Sequence, residues 1–101
     1  LIAEITSHVD VPVIAHGGAG SPADCISCHA RAHPDGFVVS SMLHYHLSEQ
    51  RRATELELVR ERDEGNLEYL SAGAPPGFLS PMGVDALKSA LAAGGVPVRG
   101  V

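Results

Sequence analysis

The sequence predicts an α/β protein in which two parallel strands alternate with helices. Residues 9–15 (VDVPVIA) form an apolar run that ends in glycines, which is typical of a strand buried on both faces. A helix opening follows at once, with Ser21 as the N-cap and Pro22 at the first helical position. A second apolar run begins at Gly36. Because a strand–helix–strand order is typical of parallel neighbours, the two runs are expected to pair.

The first half of the chain divides into four predicted elements. Residues 1–8 are expected to end a helix, and residues 22–32 to form the helix between the two strands. The sequence His33-Pro34-Asp35-Gly36 then breaks that helix. We expect the second strand to cover residues 36–41 and to run into residues 42–46.

The second half is less regular. Residues 47–64 are strongly charged, and their pattern leaves a helix and a solvated excursion both open. Residues 73–81 (GAPPGFLSP) are not expected to form regular structure. The last helix is predicted over residues 83–93, where Val84, Leu87 and Leu91 recur at helical spacing, and Gly94-Gly95 should end it before an extended tail.

Composition narrows the class of protein. The chain has 101 residues, 45% of them hydrophobic and 19% charged, which is typical of a soluble globular protein. A net charge of −5 argues against a nucleic-acid-binding surface. The sequence contains no apolar run of about 18 residues, so no membrane-spanning helix is predicted. The two cysteines are too few for a secreted disulfide scaffold, so a cytoplasmic location is expected. Since Leu1 is not an initiator Met, we expect the chain to begin inside a larger protein.

Two loops carry the candidate site. In residues 15–20 (AHGGAG), glycines allow backbone N–H groups to approach an anion, and the following helix adds partial positive charge. Ser41 ends the next predicted strand, and the carboxyl ends of parallel strands lie side by side. We therefore expect the two loops to face one pocket that binds phosphate. The alternative is a tight turn with nothing bound.

Three segments carry a resemblance to one family: residues 11–20 (VPVIAHGGAG), residues 35–45 (DGFVVSSMLHY) and residues 84–99 (VDALKSALAAGGVPVR). They resemble, in that order, strand seven with its phosphate loop, strand eight, and the last helix with its tail in the cyclase subunit of imidazole glycerol phosphate synthase. The resemblance implies a C-terminal βαβα fragment, strands 7 and 8, of a TIM (βα)8 barrel. Other phosphate-binding barrels share the Gly-Gly loop and stay open as an alternative.

The resemblance also implies a domain organisation, a partial barrel over residues 1–101. Residues 1–46 would hold strand 7, the phosphate loop, helix 7 and strand 8, and residues 83–101 the last helix and tail. Residues 47–82 form an insertion before that helix. This insertion looks like that of the cyclase-like paralogue found with surface-sugar amidation pathways, so the histidine pathway and the paralogue both stay open.

The activity that the resemblance implies belongs to a full-length barrel. Such a lyase takes ammonia from a glutaminase partner and cyclises a ribulosyl-aminoimidazole ribonucleotide, without a cofactor or metal, using two aspartates that this chain does not contain. Only one of the family's two phosphate-binding sites maps onto this chain, at the backbone of Gly17 and Gly18 and the hydroxyl of Ser41. His16 stands where the family often has Ser and could donate to the phosphate. Two strands cannot close a barrel, so the chain alone is expected to be unstable, self-associating or inactive.

Several other interpretations compete with this one. Cys25, Cys28 and His29 match the C-x-x-C-H pattern of c-type haem attachment, which would make the chain a small haem protein. A zinc site that also uses His33 is a weaker possibility, because one helix cannot easily surround a tetrahedral ion. A third hypothesis is a non-catalytic phosphate-binding remnant. His44 and His46 are expected near the pocket rim, with either a catalytic or metal role or, for His44, simple packing beneath the loop.

Overall fold

Two short parallel strands form the centre of the structure, a computed structural model that describes residues 1–60 and 77–100. The elements in chain order are α1 (Ile2–His8), β1 (Ile14–His16), α2 (Pro22–Ala32), β2 (Gly36–Val38), α3 (Ser41–Arg60) and α4 (Val84–Ala93). The register pairs Ile14 with Gly36, Ala15 with Phe37 and His16 with Val38. The predicted α/β class with a parallel pair of strands is confirmed.

Strand β1 is shorter than predicted, because residues 9–13 lie outside it. The segment that leads into β2 passes through His33 and Pro34. His33 has a left-handed backbone (φ 48°), and Pro34 has no N–H to donate. A regular ladder can therefore begin only after these two residues. Val13 and Asp35, just before the paired residues, form two more hydrogen bonds. The Val13 C=O accepts the Asp35 N–H at 2.8 Å, and the Val13 N–H donates to the Asp35 carboxylate at 2.8 Å.

Helix α2 has the predicted bounds, and its ends explain why. Ser21 and Asp24 form a capping box at its start, with Pro22 in the first turn. At its end the His33 N–H donates to the His29 carbonyl at 3.0 Å. Helix α1 is also where the sequence places it, and it is fastened to α2 by a hydrogen bond of 2.8 Å from the Thr6 hydroxyl to the Ala32 carbonyl.

The second strand ends earlier than predicted. Residues 41–46 were expected to continue or follow a strand, but β2 stops at Val38 and α3 begins at Ser41. The helical ladder starts with the His44 N–H donating to the Ser40 carbonyl at 2.9 Å. Helical geometry lets Met42 enter the core, where its side chain is 0% exposed. Helix α3 also includes the charged residues from 47 as far as Arg60. The rest of that charged segment lies in residues 61–76, outside the described residues.

The core lies between the sheet and the helices. Its buried members come from α2, α3, α4 and the chain after α4, and they are Cys25, Met42, Leu87, Leu91 and Val96. Helix α4 begins after Gly83, one residue later than predicted, and two of its three predicted apolar positions are buried while Val84 is exposed. Its end is closed by Gly95 (φ 84°), which lets the Val96 N–H reach the Leu91 carbonyl at 2.9 Å.

One face of the sheet is covered and the other is not. Ala15 is buried, and Phe37, its partner in the register, packs against the core. Alternation along a strand places Ile14 and Val38 on the opposite face, where they are 56% and 48% exposed. Within residues 1–60 and 77–100, no helix combines the length and apolar character needed to cross a membrane.

Candidate phosphate-binding site

The loop after β1 turns on two consecutive glycines. Gly17 has φ 100° and Gly18 has φ 79°, a region that residues with a side chain rarely adopt. A Cβ added at either position would meet nothing within 4 Å. The requirement for glycine is therefore conformational, and it leaves open space over the backbone in which a ligand could approach closely.

The N-terminus of α2 is already occupied by a carboxylate of the same chain. The Asp24 carboxylate accepts hydrogen bonds from the Gly20 N–H at 2.9 Å, the Ser21 N–H at 2.9 Å and the Ser21 hydroxyl at 3.1 Å. The Gly20 N–H, followed by the Ser21 hydroxyl, lowers the pKa of Asp24 below its usual value. An ionised Asp24 offsets the positive end of α2, so this helix contributes less to anion binding than its sequence predicts.

The N-terminus of α3 is different. Ser41 lies in its first turn, half-buried, and no acidic residue occurs in that turn. Ser41 was predicted at a strand end, and the structure instead places it at a helix start, where N–H groups without intrahelical partners face outward. Because β1 and β2 are parallel, the loop with Gly17 and Gly18 and the start of α3 leave the sheet at the same edge.

A short strap, defined as residues 77–82, crosses between these two loops. The Ser80 N–H donates to the Gly20 carbonyl at 2.6 Å, and the Met82 N–H donates to the Met42 carbonyl at 3.2 Å. A Cβ at Gly20 would lie 2.6 Å from the Phe78 carbonyl oxygen, so this glycine is required by close approach of the strap. This contact was not predicted from the sequence. The one local sign of it is that Gly20 directly precedes Ser21, the N-cap of α2.

The four predicted site residues are not all in one cavity. A groove of about 590 Å³ is lined by His16, Gly17 and Gly18 and extends along α2 to Arg31. Among the described residues, Ser41 does not line this groove. His16 ends β1, paired in register with Val38, and its side chain is exposed. The structure thus brings three of the four residues together and places Ser41 at the neighbouring helix start.

His44 and His46 were expected near the pocket rim, but both lie within α3 and neither lines the groove beside Gly17 and Gly18. His44 Nε2 is 3.4 Å from the Ser48 hydroxyl, one turn further along the helix. His46 Nε2 is 3.1 Å from the amide nitrogen of Gln50, and its ring lies beside Gly83. These contacts fit packing and hydrogen bonding along α3.

The cysteine motif lies in the middle of α2, and of its three residues only Cys25 belongs to the buried core. Cys25 is 1% exposed, and burial raises the pKa of its thiol, with Asp24 and Cys28 as further causes. A buried thiol is poorly placed to bond to a porphyrin, so the structure gives the haem interpretation no support. In residues 1–60 and 77–100, no three His, Cys, Asp or Glu side chains are grouped to hold a metal, so the zinc interpretation gains none either.

The described chain thus belongs to the class of α/β proteins that have a glycine loop between a parallel strand and a helix. Sequence comparison adds a particular relative, the protein named imidazole glycerol phosphate synthase subunit HisF. The chain is 43% identical over 42 residues to HisF of Dehalococcoides mccartyi strain ATCC BAA-2266, and 40% identical over 42 residues to HisF of strain CBDB1. Each match covers 42% of this chain and 17% of the relative. No protein-family model matches the chain, and no solved structure matches it.

Proposed function

We propose that this chain is the C-terminal part of a TIM-barrel cyclase of the imidazole glycerol phosphate synthase type. In this proposal it binds one phosphate of a ribulosyl-aminoimidazole ribonucleotide-type substrate. The observation that carries the proposal is that two loops leave the same end of the parallel strand pair, although Ser41 lies outside the groove that Gly17 and Gly18 line. The first has Gly17 and Gly18 at positive φ, and the second begins α3 with Ser41 and has no acidic residue in the first helical turn. The similarity to HisF supports the same class.

Each residue has a distinct role in this proposal. The N–H groups of the loop at Gly17 and Gly18 hold phosphate oxygens, and the open space above them admits the anion. Ser41 adds its hydroxyl and the positive end of α3. His16 is the last residue of β1, so its exposed ring can donate a further hydrogen bond.

The chemical step is assigned to residues outside this chain. The matched relatives are about six times as long as the matching segment, because the 42 residues make up 17% of their length. The proposed lyase of histidine biosynthesis would use two aspartates from that remaining length and ammonia from a glutaminase partner, in the cytoplasm. The cyclase-like paralogue is a second version of this proposal, favoured by the insertion at residues 47–82.

Phosphate binding can be tested with two glycines that have similar positive φ values. Gly18 and Gly95 have φ values of 79° and 84°, and neither would bring a Cβ within 4 Å of another atom. Gly18→Ala and Gly95→Ala therefore each place a side chain at a similar positive φ. We expect only Gly18→Ala to weaken binding of inorganic phosphate, by about tenfold or more, measured by ³¹P NMR titration. Equal affinities in the two variants would contradict the proposed loop.

The role of Ser41 has its own matched control. Ser41→Ala should weaken phosphate binding by roughly three- to tenfold through loss of one hydrogen bond. Ser89 is an exposed serine on α4, and Ser89→Ala should leave the affinity unchanged. If both variants bind phosphate as tightly as the unaltered chain, the second loop is not part of the site.

The catalytic part of the proposal needs the rest of a barrel. Fusing the upstream residues of Dehalococcoides mccartyi HisF to this chain should give ammonia-dependent turnover of the ribonucleotide. A fusion that binds phosphate and shows no turnover would instead favour the non-catalytic phosphate-binding remnant.

A further inference from the structure

The two cysteines of α2 take no part in the proposed phosphate site, yet both line the groove that also contains Gly17 and Gly18. Cys25 and Cys28 are free thiols, and they lie three positions apart on one helix. Residues at this spacing are neighbours on the helix surface, with Cβ atoms about 5–6 Å apart. The wall of this groove of about 590 Å³ therefore carries two neighbouring thiols.

The two thiols differ in accessibility and in reactivity. Cys28 is half-buried, whereas Cys25 is 1% exposed and belongs to the core cluster with Met42. Burial, followed by the charges of Asp24 and Cys28, raises the pKa of the Cys25 thiol. Because the thiolate is the attacking form, Cys28 is the thiol that a reagent in the groove meets first. Cys25 is shielded from reagents but lies beside Cys28, which is the position of a resolving thiol.

We propose that Cys25 and Cys28 form a reversible redox site that takes a low-molecular-weight disulfide as its oxidant, and that the helical geometry of α2 opposes the oxidised form. This inference does not depend on phosphate binding. A C-x-x-C pair beside a βαβ unit is a pattern of dithiol redox sites, and here it lies on the helix between β1 and β2.

The exchange has two steps. In the first, the Cys28 thiolate attacks one sulfur of the small disulfide, whose S–S bond breaks, and one small thiol leaves with the proton that Cys28 released. In the second, Cys25 loses its proton and attacks the Cys28 sulfur of the mixed disulfide. That S–S bond breaks, and the second small thiol leaves with the Cys25 proton. The two cysteine thiols are oxidised to one disulfide, and the small disulfide is reduced to two thiols.

The helix makes the oxidised form labile. A disulfide needs Cβ atoms about 3.5–4.5 Å apart, which is closer than the spacing of about 5–6 Å on a regular helix. Closing the bond must therefore distort α2 or draw Cys25 away from its neighbours in the core. Because strained disulfides are more easily reduced than relaxed ones, the site should return to two thiols when the surrounding thiol concentration rises.

The first test incubates the full 101-residue chain with glutathione disulfide, stops the exchange with acid and measures the intact mass. The unaltered chain should lose the mass of two hydrogen atoms and retain no glutathione. Cys25→Ala should stop at the mixed disulfide between Cys28 and glutathione. Cys28→Ala should react at least about tenfold more slowly, because its remaining thiol is buried.

Two results of this test would overturn the proposal. One is a mixed disulfide, or a dimer linked through Cys28, as the final product of the unaltered chain. The other is an equal rate for Cys25→Ala and Cys28→Ala, because the thiols would then have no division of roles.

A second measurement uses only the unaltered chain, so it does not depend on the folding of either variant. In buffers of reduced and oxidised glutathione, the equilibrium constant for forming the Cys25–Cys28 disulfide should be about tenfold smaller in the folded chain than in urea that unfolds it. This factor corresponds to a reduction potential about 30 mV higher in the folded chain. Equal constants in the two solutions would contradict the proposed opposition between α2 and the disulfide.

Discussion

Ser21 and Asp24 cap helix α2 reciprocally. The Asp24 N–H donates to the Ser21 hydroxyl oxygen at 3.4 Å, and the Ser21 N–H donates to the Asp24 carboxylate at 2.9 Å. The same carboxylate accepts the Gly20 N–H, so one side chain serves both the helix start and the end of the glycine loop. The geometry of the candidate site and the stability of α2 are therefore coupled through Asp24.

The coupling predicts how stability depends on pH. The pKa of Asp24 is lowered in the folded chain, so its carboxylate stabilises the fold above the pKa of the unfolded chain, and this stabilisation is lost as pH falls through the folded-state pKa. Asp24→Ala should lower the urea midpoint at pH 7 relative to the unaltered chain. The difference should narrow at pH values below 3.8, the ordinary value for this carboxyl group. A difference that is constant from pH 7 to pH 2 would contradict the prediction.

A second prediction concerns the contact of the strap with Gly20. In Gly20→Ala the new Cβ would lie 2.6 Å from the Phe78 carbonyl oxygen, and backbone cannot move aside as cheaply as a flexible side chain. We expect this variant to lower the free energy of unfolding by about 1–3 kcal/mol, measured by urea denaturation. Gly77→Ala is the matched control, because a Cβ there would meet nothing within 4 Å. If the two variants are equally stable, the strap does not rest on Gly20 in solution.

A third prediction separates the two cysteines of α2. Burial raises the pKa of the Cys25 thiol, and the thiolate is the reactive form, whereas Cys28 is only half-buried. In the native chain at pH 8, a thiol reagent should modify Cys28 several times faster than Cys25, as mass spectrometry of peptides would detect. Both should react at similar rates in 8 M urea. Faster labelling of Cys25 in the folded chain would contradict its place in the core.

A fourth prediction follows from the uncovered face of the sheet. Ile14 and Val38 present apolar surface there, and two strands leave unpaired backbone at their outer edges. Val38→Lys should reduce self-association of the isolated chain, measured by sedimentation velocity over a range of concentrations. Val84 is similarly exposed but lies on α4, so Val84→Lys should change self-association less. Equal effects would indicate that net charge, and not this face, controls association.

Local signals in the sequence were sufficient for much of the fold. Ser21 and Pro22 at the start of α2 and the break at His33 act within a few residues, so the bounds of that helix could be predicted. The start of α4 and its glycine stop are similarly local. Ser21 was predicted as the N-cap, but its reciprocal bond with Asp24, and the consequence of that bond for the anion site, were missed.

The misplaced boundary between β2 and α3 has a different cause. The apolar residues that follow Val38 suit a strand as well as a helix, and the choice is made by packing of Met42 against Leu87 and Leu91 from the far end of the chain. The strap could not be predicted for the same reason, since its contacts with Gly20 join residues about 60 positions apart along the chain. In both places long-range packing overrides a weak local preference.

The bond between the Val13 N–H and the Asp35 carboxylate has a consequence for fidelity of strand pairing. A side-chain oxygen supplies the acceptor at the point where the chain, emerging from His33 and Pro34, has not yet become a strand. Sliding β2 by one residue along β1 would break this bond and the Asp35–Val13 backbone bond together, and would turn Phe37 away from the core. Each strand has only three paired residues, so the hydrogen bonds of Asp35 help to select one register for this short sheet.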